Sequence, residues 1–198
     1  MPIACRRAAP LALAACLIAA PARSDEIAYR AIHQSDFRAK APPAEGSVHA
    51  ERMGAYTCGR VIPEAPIAIR IEPADHGFAA RAPSFRVRGV MDRDCSWWNA
   101  ALRNAQPPAY ILQHEQIHFA LIALAARDLE ARGRALVERG ATIEAAHAAF
   151  QRLLEDLQRD VAKKLQARSD AFDRDTSGVY APDAQRRWLD RVTAELAR

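Results

Sequence analysis

The chain has 198 residues, 50% of them hydrophobic and 26% charged, which suits one ordinary domain with a real core and excludes a disordered or collagen-like polymer. Its net charge is +4, and Arg6 and Arg7 lie in the leader described next, so the remainder carries only +2. Its basic residues are scattered among acids, so neither the balance nor the pattern predicts nucleic-acid binding.

The first element is a leader over residues 1–22. Arg6 and Arg7 supply a positive start, residues 8–20 form an apolar run too short to span a bilayer, and Ala20-Pro21-Ala22 offers a small-residue cleavage site. This predicts export to the periplasm or beyond. Leu13-Ala14-Ala15-Cys16 also resembles a lipoprotein box, which would place a lipid on Cys16; because the apolar run continues through Leu17 and Ile18, soluble export is favoured. No other segment approaches the length of a membrane span. With Cys5 and Cys16 in the leader, Cys58 and Cys95 remain. In an oxidising compartment they predict one disulfide, with a share in metal binding as the alternative.

Residues 23–198 are read as one α+β domain, with a strand-rich part over 23–105 and a helical part over 106–198. The first part is rich in proline and glycine, and the alternating runs 67–71 and 85–90 predict strands. From Pro107-Pro108 the periodicity predicts a helix to about Glu138, with Gly140 as its stop. Thr142 then caps a second helix, whose face is marked by Ile143, Phe150, Leu154, Leu157, Val161 and Leu165. After a turn over 176–182 a third helix places Ala184, Trp188, Val192 and Leu196 on one side. The expected architecture is a small N-terminal sheet region, a helical hairpin and a closing C-terminal helix.

The chemistry lies on the first of these helices, in His114-Glu115-Gln116-Ile117-His118. Histidines four residues apart sit one turn apart on the same face, so both imidazoles reach one ion. Zinc accepts histidine nitrogen and, in catalytic sites, keeps a position for water; Glu115 beside it is placed to deprotonate that water. Such a motif arises by chance in roughly 1% of chains of this composition. Here it also falls on the stripe Ile111, His114, His118, Leu121, Ile122, Ala125 and Leu129, where the helix otherwise buries apolar groups. Buried imidazoles need partners, and a metal would satisfy both.

These residues resemble a bacterial domain-of-unknown-function family described as predicted secreted zinc-dependent proteases. The most specific part is 114–119, the H-E-Q-x-H-F form of the motif, with Ser96-Trp97-Trp98 upstream and Ala126-Arg127 downstream. His33-Gln34-Ser35-Asp36-Phe37 with Pro42-Pro43 is similar to the family's early tryptophan-aspartate-phenylalanine and proline segment, with histidine in the tryptophan's place. Ala55-Tyr56-Thr57 resembles a threonine-bearing strand, and Phe172-Asp173 with Thr176, Gln185 and Trp188 is similar to the C-terminal Y-D-x-x-T…Q…W pattern. The chain departs from the family in having Ala120 and Ala123 where two acids are usual, and in lacking a histidine after Thr176.

The resemblance implies a zincin-like fold, a zinc cofactor and a peptide or protein substrate. It makes Asp173 the first choice for third ligand, reached only if the second helix ends before it. Hairpin pairing about Gly140 would instead set residues 163–167 beside the histidines. Asp170, Asp175 and Glu130 stand in reserve, and Tyr180 is a candidate transition-state stabiliser. His33, His49 and His76 have no metal-binding spacing. Two functions follow: an exported zinc metallopeptidase with Glu115 as general base, or a non-catalytic envelope protein with a structural metal and a partner-binding hairpin.

Overall fold

A computed structural model of the chain describes residues 25–41, 54–99, 106–176 and 180–198. The leader over 1–22 with Cys16, the Pro42-Pro43 pair, His49 and the stretch 177–179 lie outside the described residues. The architecture is α+β, with small antiparallel sheets first and three helices after them.

The strands are short because glycine, proline and turn residues interrupt them. β1 (Glu26–Ala28), β2 (Ala55–Tyr56), β3 (Gly59–Pro63), β4 (Arg70–Ala74), β5 (Gly77–Arg81), β6 (Val87–Asp92) and β7 (Trp97–Trp98) precede the first helix. β6 is the centre of one sheet, with β1 and β3 on either side, and its residues Val87, Gly89, Val90 and Met91 are buried. β2 pairs with β7, and Ala39 bridges to Trp97. The expected strand at 67–71 begins at Arg70 instead: Ile67 and Ile69 pack on the core from irregular chain, and the ladder starts where Arg70 meets Arg81.

α1 (Pro108–Ala135) opens with proline in its first turn, where a missing N–H costs nothing. It is the central element. Phe119, Ala120, Leu121, Ile122 and Ala123 are all buried in succession, because the sheet covers one side and the other two helices cover the other. Gly89 lets β6 come against α1: a Cβ there would sit 3.0 Å from backbone atoms of Ile122 and Ala123.

The expected helix to Glu138 is corrected by the structure. α1 ends at Ala135, Leu136 turns extended, and Val137–Gly140 forms β8, which pairs with β5 from Arg81↔Val137 to Phe78↔Gly140. The free edge of β5 offers these four residues a ladder, and that tertiary gain outweighs their weak local preference for helix. Gly77, at φ +127°, makes the junction possible. Only glycine adopts that conformation without strain, and a Cβ there would lie 2.3 Å from the Gly140 carbonyl oxygen.

α2 (Ile143–Thr176) starts as expected at Thr142, whose Oγ1 accepts the Ala145 N–H at 3.2 Å. Phe150, Leu154, Leu157 and Val161 are buried, whereas Ile143 is exposed at the first turn. α3 (Pro182–Leu196) buries Trp188 and Val192 against α1 and α2. The paired contacts of Arg168 with Glu195, at 2.9 and 3.0 Å, join α2 to α3. Two apolar clusters divide the hairpin: one around Phe85, Leu129, Phe150 and Leu154 under the sheet, the other around Ile117, Leu121, Phe172 and Trp188 under α3. No helix among the described residues is long and apolar enough to cross a membrane.

Candidate metal centre

On α1, His114 and His118 share the face turned toward the end of α2. Phe172, Asp173 and Thr176 meet them there, one helical turn presenting all three. The Phe172 ring is fully buried and seats both imidazoles, with centroids 4.4 Å from His114 and 5.0 Å from His118; Trp188 closes its edge at 5.5 Å. Packing on Phe172 thereby seats both rings.

Three atoms converge. His114 Nε2 and His118 Nε2 are 3.1 Å apart, and Asp173 Oδ1 lies 3.1 Å from the second and 3.2 Å from the first. Ligand atoms on a tetrahedral zinc with bonds of about 2.0–2.1 Å are separated by about 3.3–3.4 Å, so this triangle is nearly one face of such a site. Hydrogen bonding alone does not satisfy it. A carboxylate oxygen only accepts, and a ring N–H points along one direction, so three mutual contacts cannot all be hydrogen bonds. Two imidazole nitrogens and one carboxylate oxygen in this arrangement could hold a metal ion, and the donor set is one that zinc accepts. Among the described residues, this is the one group of three or more histidine, cysteine, aspartate or glutamate side chains close enough to share an ion.

The electrostatics point the same way. Burial raises the Asp173 carboxyl, but the imidazoles of His114 and His118 beside it outweigh that and hold the group well below the usual carboxylate range. Burial depresses His118, yet the Asp173 hydrogen bond and the negative charge of Glu115 and Asp173 raise it above an ordinary histidine. The site is thus an anionic environment for whatever cation occupies it. Glu115 itself is buried, 3% exposed, and its backbone carbonyl accepts a 3.5 Å hydrogen bond from Thr57 at the end of β2.

The structure corrects the route to Asp173. α2 does not end before it but continues to Thr176, and Asp173 reaches the histidines from within the helix. Because β8 occupies the connection, the hairpin is not centred on Gly140. Arg132 faces Asp160 and His118 faces Asp173, which sets the pairing centre several residues further on and moves 163–167 away from the histidines. The reserve ligands are engaged elsewhere: Glu130 accepts the Val87 N–H and pairs with Arg134, Asp170 accepts from Gln166, and Asp175 accepts the Trp188 indole N–H at 2.8 Å. Tyr180 is 55% exposed and packs on Tyr110, with centroids 5.0 Å apart.

Cys58 and Cys95 are joined in a disulfide with Cα atoms 5.5 Å apart, so their alternative role in metal binding is not realised. Ser96 braces the bridge by accepting the Cys58 N–H at 3.0 Å and donating to the Asp92 carbonyl at 2.6 Å.

Two supports are not evident from the sequence. Gln116, inside the motif, acts as a clasp: its Oε1 accepts the Ile32 N–H at 2.7 Å and its Nε2 donates to the Arg30 carbonyl at 3.1 Å, tying the N-terminal segment to the histidine helix. That segment is ordered in turn by buried Asp36, which binds Arg30 and the His33 N–H. Thr176 is the second support, with Oγ1 3.3 Å from His114 Nδ1. Its spacing of three from Asp173 is the signal that the sequence carries for it. Compared with models of known families, with curated proteins and with solved structures, the chain matches none.

Proposed function

We propose that this chain is an exported zinc-dependent metallopeptidase. The observation that carries the reading is the convergence of His114 Nε2, His118 Nε2 and Asp173 Oδ1 within 3.2 Å of one another, beside buried Glu115. The resemblance to predicted secreted zinc-dependent proteases, resting on the residues quoted above, supplies the substrate class, a peptide or protein. The basic leader with its apolar run supports export, and the disulfide suits an oxidising compartment.

A zinc ion in this site would supply a Lewis acid and an acidified water. His114, His118 and Asp173 would hold it, and Phe172 packs against both rings. Glu115 is the group left for proton transfer: with the metal bound, it would take a proton from water and return it to the leaving amine. A purely structural site would need no carboxylate at this position, which favours the enzyme over a non-catalytic envelope protein.

The test is Glu115→Gln, which preserves shape and removes the base. Zinc should stay bound at one per chain, and chelator-sensitive cleavage of a broad peptide mixture, read by mass spectrometry, should fall by at least about 10²-fold. Undiminished chelator-sensitive cleavage in the variant would overturn Glu115 as base, and absence of zinc from the wild type would overturn the site.

A further inference from the structure

The hydroxyl of Thr176 is the last side chain of α2, 1% exposed, and its surroundings fix where its single proton goes. Oγ1 lies 2.7 Å from the Phe172 carbonyl oxygen, which can only accept, so the proton points there. The other polar neighbour among the described residues is His114 Nδ1 at 3.3 Å. With its proton committed, Oγ1 meets this nitrogen as an acceptor, and Nδ1 must carry hydrogen.

The backbone of Thr176 is pinned as well. Its carbonyl accepts from the Tyr110 hydroxyl at 3.1 Å, and the same hydroxyl oxygen accepts the Ala181 N–H at 3.3 Å. Tyr110 sits one turn before His114 on α1 and is itself buried. The end of α2, the start of α3 and the first turn of α1 are therefore locked together around the threonine. Its hydroxyl cannot swing to another acceptor without breaking the contact with Phe172.

We propose that Thr176 is a positioning residue that sets His114 in the Nδ1–H tautomer and so aims the bare lone pair of Nε2 at the space shared with His118 and Asp173. The proposal rests on the reading of that space as a metal centre. It assigns to the threonine hydroxyl the part that a carboxylate or backbone carbonyl plays behind many ligating histidines: fixing ring orientation and tautomer. It also explains why the triangle needs a cation. In this tautomer the His114 lone pair faces the Asp173 carboxylate oxygen at 3.2 Å with no proton between them.

The experiment uses the metal-free wild-type chain, Thr176→Val, which keeps shape and removes the hydroxyl, and Thr176→Ser, which restores it. Nitrogen-15 spectra of the imidazoles, without metal, should show His114 protonated at Nδ1 in the wild type and in Thr176→Ser, and at Nε2 or as a mixture in Thr176→Val. Zinc affinity from competition with a chromogenic chelator should fall about 10–100-fold in Thr176→Val and stay near wild type in Thr176→Ser. A wild-type His114 protonated at Nε2, or a folded Thr176→Val that binds zinc as tightly as wild type, would overturn the proposal. Should the wild type take up no zinc, the metal reading fails while the nitrogen spectra still decide the tautomer. If Thr176→Val does not fold, the wild-type and serine spectra decide it alone.

Discussion

At the β8 end of the hairpin, Leu129 on α1 faces Ala146, Phe150 and Leu154 on α2, and Phe85 and Val87 of the sheet region close over them. At the other end the same two helices bring together His114, His118, Asp173 and Thr176, with only Phe172 as an apolar floor. Both ends follow one helical periodicity, and the polar residues occupy places where the stripe would otherwise hold leucine or phenylalanine. A core position filled by an imidazole has lost its water and must find a partner. The closed end is filled by apolar side chains; the open end presents a polar group that could hold a metal.

The largest expected effect lies at the closed end. Phe150 is fully buried, so Phe150→Ala should lower unfolding free energy by about 3–5 kcal/mol, the usual cost of an aromatic cavity. Denaturant titrations with and without chelator should give the same loss; a metal-dependent loss would mean the two ends are not separable. The reverse substitution sharpens the contrast. Zinc at a free concentration a thousandfold above its dissociation constant should raise wild-type stability by about 4 kcal/mol. Phe150→Ala should keep that increment and His118→Ala should lose it.

A smaller effect is expected midway. In Gly89→Ala the new methyl meets α1 backbone on which both ends depend. Overpacking of this kind costs about 1–3 kcal/mol, and the zinc affinity should weaken in parallel, measured by chelator competition. Unchanged stability would show that β6 and α1 can separate without cost.

The smallest effect is on pH. In the metal-free protein His118 is raised above its ordinary 6.5, so its contribution is fully present below about that pH and is lost as pH climbs through the raised value. Asp173 is lowered from 3.8, so its contribution is present above that pH and is lost as pH falls. The open end therefore stabilises the metal-free fold most between these limits, by less than about 1 kcal/mol given the exposure of Asp173. Melting temperatures across pH 3–9 should show a shallow maximum there. His118→Ala should remove its alkaline limb, and Phe150→Ala should keep its shape.

Legibility in the amino-acid sequence follows the same division. The histidine pair, the Thr142 cap, the stripes of α2 from Phe150 on and of α3, and the disulfide partners appear where the pattern puts them, while Ile143 is exposed. β8 is not legible because Val137–Gly140 becomes a strand only by finding the edge of β5, nearly sixty residues earlier in the chain. That one difference also displaces the hairpin register and removes the need for α2 to end before Asp173. Thr176 and Gln116 are visible as members of motifs, but their roles depend on neighbours that only the folded chain brings near.

The strand inserted between the two long helices has a kinetic consequence. It fixes the ends of α1 and α2 at their junction, so contacts near it close short loops: Arg132 and Asp160 are 28 residues apart, whereas His118 and Asp173 are 55 apart. From an open chain the longer closure costs about 0.6 kcal/mol more. If the near contacts form first, the far ones follow by zipping along the hairpin, and the histidines meet Asp173 after the Phe150 end has formed. Interactions absent from the rate-limiting step of folding act on the reverse step. A metal bound between α1 and the end of α2 would therefore slow unfolding and leave the rate of folding nearly unchanged.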